Sequence, residues 1–292
     1  MLRAAAALVI AATVAVGAAT ASGAPASRPC RGAPAPRTYD HVLLVVMENH
    51  SASQVTGMSP YLNSLAAACG LAGDYSAITH PSLPNYLALT SGDTDGITSD
   101  CTDCSTPARS LFEQVGGRWR SYQETIPSVG FTGVSSGNYV KRHNPASYYT
   151  RITAAYRTRA VPLSRLRPDL ASAAFPRFAL VVPNLCDDEH DCGLDVGDHW
   201  LSVWLPRILA SRTYAQGKTA VFVTYDEGTD ADNHVYTVVA SPSVRRGTVA
   251  AAAFDHYSLL ATVERMLKLP CLANACSAAV MTGAFHLLAP SS

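Results

Sequence analysis

Residues 41–51 read HVLLVVMENHS. Seven residues, rich in valine and leucine and without polar alternation, suit a strand covered on both faces. The chain then turns abruptly polar, at Glu48, Asn49, His50 and Ser51. Three further runs have the same character: FALVVP (178–183), AVFVTY (220–225) and VYTVVAS (235–241). Between them lie helical patterns at 59–69, 84–91, 110–117, 199–211 and 255–270. Strands alternating with helices predict an α/β domain, a three-layer α/β/α sandwich with a mostly parallel central sheet. No internal repeat or second domain is visible. The polar stretch 93–108, with two cysteines, reads as a loop.

In such sheets ligands bind beyond the carboxyl ends of the strands. Three of the four runs end in clusters of carboxylate, amide and imidazole. After the first come Glu48 and Asn49. After the second come Asn184, Asp187, Asp188, His190, Asp191 and Asp198. After the third come Asp226, Glu227 and His234. One acidic loop is ordinary surface, but three at one sheet edge suggest hard oxygen ligands for a divalent cation.

A serine stands apart in THPSLPNYLALTSG (79–92). Ser82 suits the cap of a following helix. It equally suits a nucleophile at the positive end of that helix, where an anion binds. The motif is not the G-x-S-x-G elbow of acyl-ester hydrolases. With a cation nearby, Ser82 points to phosphoryl transfer through a covalent phosphoserine.

The 292 residues carry zero formal net charge, which argues against a nucleic-acid partner. Arg3, an apolar run and small residues around Ala21 predict a secretory signal peptide over 1–24. A Pro/Ala-rich linker over 25–37 and one domain over 38–292 follow. No later segment is apolar and long enough to cross a membrane. The expected product is therefore an extracellular protein without a stable membrane anchor, acting as a monomer. All 8 cysteines lie beyond the signal, and an even count in an exported chain argues for disulfides. Local spacing suggests Cys101–Cys104, Cys186–Cys192 and Cys271–Cys276, leaving Cys30–Cys69.

The stretches VVMENHS, THPSLPNYLALTSGDT, VPNLCDDEHDCGLDVGDHWL, VTYDEG and DHYSLLATVERMLKLP run from about residue 38 to 270. Together they resemble the bacterial phosphoesterase family of secreted acid phosphatases and phospholipases C, within the alkaline phosphatase-like superfamily. The resemblance implies a metal-assisted phosphatase acting on a phosphorylated small molecule or a phosphoinositide headgroup. It implies Ser82 as nucleophile, with Asn49, His190 and His256 as further catalytic residues. Glu48, Asn49, Asp226 and Glu227 would hold a divalent cation of unspecified identity. His143, Asn184 and Asp191 would line the substrate pocket. The matches end at the last helix, without the additional domain of many phospholipases C, which favours a compact phosphomonoesterase. A phospholipase C-type phosphodiesterase and a non-catalytic binding protein of the same fold stay open as alternatives.

Overall fold

The computed structural model describes Met1 and residues 28–290; the expected signal peptide lies almost wholly outside the described residues. In chain order the strands are β1 (His41–Met47), β2 (Gly70–Ser76), β3 (Trp119–Gln123), β4 (Ser135–Ser136), β5 (Tyr139–Val140), β6 (Ala160–Pro162), β7 (Phe178–Val182), β8 (Thr219–Tyr225), β9 (Thr237–Ala240) and β10 (Thr248–Asp255). The helices are α1 (Ala52–Met58), α2 (Pro60–Ala68), α3 (Ser82–Ser91), α4 (Leu111–Gln114), α5 (Thr153–Arg159), α6 (Leu166–Leu170), α7 (Leu194–Leu209), α8 (Arg212–Ala215) and α9 (His256–Leu267).

Eight strands form one sheet in the order β10-β2-β9-β8-β1-β7-β3-β6, while β4 and β5 make a separate hairpin. Strands β8, β1, β7, β3 and β6 pair in parallel, as do β10 and β2. Only β9 runs antiparallel, between β2 and β8. The sheet is thus mostly parallel, as expected, with the fourth apolar run as the exception. Strands β7 and β8 are buried throughout, and β1 is buried after its first residue. This two-sided burial explains their unbroken apolar composition. On the surrounding layers α3 packs against α9, and α2 against α7.

Four strands of the sheet have no counterpart among the apolar runs. β2 (GLAGDYS) carries two glycines, and the edge strand β10 (TVAAAAFD) is mostly exposed or half-buried alanine. Neither needs an apolar run, because their neighbours and the ladder hold them. β6 is only three residues long.

All four disulfides pair as the spacing suggests. Cys30–Cys69 ties the segment before β1 to the end of α2. Gly32 and Ala33 N–H groups donate to the carbonyls of Val244 and Pro242 at 3.0 and 2.9 Å. Residues 30–33 are therefore part of the domain rather than a free linker.

Two local expectations change. Ser82 is the first residue of α3 and Pro81 is its cap, so Ser82's hydroxyl is free for other partners. α7 begins at Leu194, which places Asp198 inside it. The Asp198 carboxylate instead accepts the N–H groups of Tyr61 and Leu62, both at 2.9 Å, and caps α2. α3 ends at Gly92 with φ 81°, where a Cβ would lie 2.5 Å from the Leu272 carbonyl oxygen. Glycine is required there by both backbone conformation and close approach.

Candidate active site

The carboxyl ends of β1 and β8 are neighbours, since the two strands pair along their whole length. That pairing sets Glu48 and Asn49 beside Asp226 and Glu227. The Asp226 N–H donates to the Met47 carbonyl at 2.9 Å, extending the ladder into the site. The Glu48 N–H donates to the Asp188 carbonyl at 2.9 Å, so the loop after β7 closes the third side. Asn49 takes φ 50°, a left-handed conformation that asparagine tolerates. Its N–H donates to Asp226 Oδ1 at 3.2 Å. With the amide nitrogen turned inward, Asn49 donates to Glu48 Oε2 at 3.3 Å and Glu227 Oε1 at 3.0 Å.

Ser82 faces this group from the start of α3. The turn before it is pinned by Asn85, whose Oδ1 accepts the N–H groups of Ile78 and Thr79 at 3.0 and 3.1 Å. Ser82 Oγ donates to Glu48 Oε2 at 3.1 Å and lies 3.4 Å from Glu227 Oε1. One turn on, the Tyr86 hydroxyl donates to Glu48 Oε1 at 2.5 Å.

His143 lies beyond Glu48. Its Nε2 is 3.3 Å from Glu48 Oε1 and its Nδ1 is 3.1 Å from Asp188 Oδ2. Its ring stacks on Tyr86, with centroids 5.5 Å apart. His190 is next, with its ring centroid 5.6 Å from that of His143. His190 Nδ1 bonds Asp191 at 2.7 Å, and Arg142 Nη2 lies 3.2 Å from His190 Nε2. Cys186–Cys192 staples the loop that carries Asp188 and His190.

The electrostatics are lopsided. Burial, then the charges of Asp226 and Asp188, push the Glu48 carboxyl well above its ordinary range. Burial and the charge of Glu227 do the same to Asp226. Glu227 is raised to about 7 by burial and then by Asp100. Asp188 is raised to about 7, chiefly by burial. His143 is pushed well below its ordinary value by burial, so it offers little positive charge in return. Among the described residues no Lys or Arg pairs with Glu48, Asp226 or Glu227. Asp226 Oδ2 is buried with no hydrogen-bond partner at all. A cluster of buried carboxylates with an orphaned oxygen fits a divalent cation, which supplies the missing charge. Glu48, His143 and His190 also present ligand atoms within 4.8 Å of one another.

Other expected residues are placed differently. His256 is fully buried, with Nε2 2.6 Å from the Asp226 carbonyl and Nδ1 3.1 Å from the Tyr75 hydroxyl. Burial pushes it down to about 4. Both ring nitrogens are thus engaged behind the acidic pair, where they brace Asp226 rather than face Ser82. Asn184 folds its own loop, since its Oδ1 accepts the Cys186 N–H at 3.0 Å and its Nδ2 donates to Asp187 at 2.6 Å. Asp191 is largely exposed beside His190. His234 pairs with Asp74 at 2.9 Å.

Tyr86, Arg142 and His80 were not singled out by the sequence. His80 Nδ1 lies 2.5 Å from Glu227 Oε2 on a half-exposed ring. Its signal was its place two residues before Ser82. Tyr86 reads as an ordinary apolar position of a helix.

The mostly parallel sheet layered with helices is an α/β fold of the alkaline phosphatase type, as its structural neighbours show. A Vibrio parahaemolyticus protein of the alkaline phosphatase superfamily superposes with a TM-score of 0.56 at 11% identity, over 84% of this chain and 72% of that one. The lipoteichoic acid synthase LtaP of Listeria monocytogenes gives 0.57 at 10% identity, over 82% and 74%.

The chain belongs to the Phosphoesterase family, whose model matches residues 58–270. It is 33% identical over 241 residues to a phosphatidylinositol-3-phosphatase of Mycobacterium tuberculosis, covering 80% of this chain and 78% of that protein. It is 33% identical to an acid phosphatase of Aspergillus fumigatus and 30% to a phosphate-repressible acid phosphatase of Penicillium chrysogenum. It spans 48% and 60% of those two fungal proteins. The chain is a hydrolase acting on phosphoric ester bonds.

Proposed function

We propose that this chain is an exported, metal-assisted phosphomonoesterase in which Ser82 is the nucleophile. The observation that carries the reading is the Ser82 hydroxyl, hydrogen-bonded to Glu48 and close to Glu227 within a carboxylate cluster that no described Lys or Arg neutralises. Glu48, Asp226 and Glu227 would hold the cation, with the Asn49 amide beside them. The orphaned Asp226 Oδ2 favours this oxygen-rich set over the grouping of Glu48 with His143 and His190. When bound, a divalent cation lowers the pKa of a serine hydroxyl and offsets charge on phosphoryl oxygens.

The chain's own residues supply the rest. Ser82 Oγ attacks phosphorus and passes its proton to the carboxylate it is bonded to. The P–O bond to the leaving alcohol breaks, and that oxygen takes a proton at the mouth, where His80 and His190 stand. Water then cleaves the phosphoserine and regenerates Ser82. Tyr86 and His143 hold Glu48 in place, and His256 holds the backbone of Asp226.

Similarity to a phosphatidylinositol-3-phosphatase and to acid phosphatases supports monoesters as substrates, either phosphorylated small molecules or a phosphoinositide headgroup. The four disulfides support export. The test is turnover of a panel of phosphomonoesters, phosphodiesters and phosphoinositides, with and without chelator. Acid quench during turnover of a ³²P-labelled monoester should leave label on the 79–92 peptide. Undiminished turnover in metal-free protein, or label absent from that peptide, overturns the reading.

A further inference from the structure

Beside Ser82 stands a second carboxylate, outside the cation cluster. Asp100 Oδ1 accepts the N–H of Leu83, the residue after Ser82, at 2.9 Å. α3 runs ten residues from Ser82, so this N–H belongs to the positive end of a full helix. Asp100 Oδ2 accepts no hydrogen bond from the protein; Arg142 Nε is 3.5 Å away and itself makes no hydrogen bond. The Asp100 side chain is about a third exposed, and its Oδ2 is ion-paired with Arg142 while taking no hydrogen bond.

The carboxylate is firmly held. Cys101, the next residue, is bridged to Cys104, and its carbonyl accepts the Tyr148 hydroxyl at 3.1 Å. Lys141 Nζ donates to the Thr102 carbonyl at 2.7 Å. The charged and titratable groups facing Asp100 are Arg142 and His143 from the 141–143 turn, Glu227 beyond β8, and Tyr148.

A phosphoryl group bonded to Ser82 lies at the same helix start. A fixed carboxylate there repels a phosphate dianion. The contact becomes favourable only if a proton sits between the two oxygens. A phosphate monoester carries that proton below its second pKa of about 6. A diester and a sulfate never carry it near neutral pH.

We propose that Asp100 is the specificity-determining residue that reads this proton: its Oδ2 accepts a hydrogen bond from P–OH and so selects monoester monoanions over dianions and diesters. The inference rests on the phosphoryl group binding at Ser82, as proposed above. Arg142, next to Asp100 and His190, attracts any anion and supplies affinity without this selectivity.

Sulfate and inorganic phosphate, titrated as competitive inhibitors at pH 5, are the probes. Wild type should prefer phosphate by about tenfold or more, the worth of one charge-assisted hydrogen bond. Asp100→Asn keeps an oxygen for the Leu83 N–H but loses the charge, and should bring the two anions to within about threefold. If that variant does not fold, Asp100→Ser takes its place, since serine also caps a helix. Arg142→Gln should weaken both anions alike. Equal phosphate-to-sulfate ratios in wild type and the Asp100 variant, or no preference in wild type, reduce Asp100 to a helix cap and overturn the inference. Retained turnover in Ser82→Ala instead overturns the reading of the site, so the two failures are distinguishable.

Discussion

Two buried acidic regions of this molecule behave differently. Around Ser82, Glu48, Asp226 and Glu227 crowd one strand-end cleft, and the charges of Asp226 and Glu227 add to burial in raising their neighbours. On α9, Glu264 is equally buried but alone; burial raises its carboxyl to about 8, and no other acid contributes. A lone carboxyl meets the cost of burial by keeping its proton. The carboxylates at the strand ends also raise one another, and under the function proposed above they are the set that would hold a cation. Burial by itself therefore says nothing about function; the number of carboxylates competing for one space does.

The largest break in that comparison comes from Ser82. Ser82→Ala should cost roughly 10³-fold or more in turnover with the fold intact, as removal of a nucleophile does. Ser82 is not the cap of α3, so the melting temperature should hardly move. Steady-state kinetics with a thermal melt check both, and a folded variant with near-normal rates sinks the nucleophile. Next comes Asp226→Asn. It removes one charge from the crowded set and should lower turnover by about 10²–10³-fold, with loss of bound metal by elemental analysis. Full metal content in that variant would move the cation to other ligands.

A smaller effect is expected from the staple beside the cluster. The Cys186–Cys192 bridge closes the loop whose Asp188 bonds His143 and accepts the His190 N–H at 2.9 Å. Replacing both cysteines by serine should lower kcat by about tenfold, the usual scale for loosening a supporting partner. The loop is short, so global stability should change less than activity. Equal losses of activity and stability would make the bridge a general brace.

The crowded region was the more legible of the two. Glu48–Asn49 and Asp226–Glu227 end apolar runs, and strand pairing does the rest, because adjacent parallel strands bring their ends together. Ser82 was legible as a helix start, although its role as cap was not borne out. What stayed hidden depends on direction. A histidine opening a helix looks the same whether it faces the cleft or, like His256, the back of the strand. Tyr86 looks like core until Glu48 is placed opposite its hydroxyl. Asp100 sits in a polar loop by a disulfide, and only the folded chain brings it to Leu83. β2 and β10 stayed hidden because glycine and alanine give no apolar period, and pairing rather than pattern makes them strands.

The lone acid gives the smallest effect and the control. Glu264→Gln should leave turnover unchanged, because α9 carries it away from Ser82. Its signature is in stability against pH. In the folded chain its carboxyl is raised to about 8, above the ordinary value of 4.5, with burial first among the causes. Between those values the folded state holds a proton that the unfolded state has lost. Stability from this group is therefore full below about 4.5 and falls as pH rises toward 8. The slope is at most about 1.4 kcal/mol per pH unit. Glutamine has no proton to lose, so the variant should gain on wild type steadily from pH 5 to 8. Denaturant melts of both proteins across that range measure the gap. Parallel pH profiles would mean that Glu264 stays charged in the folded chain, and the contrast with the Ser82 cluster would then rest on geometry rather than on protonation.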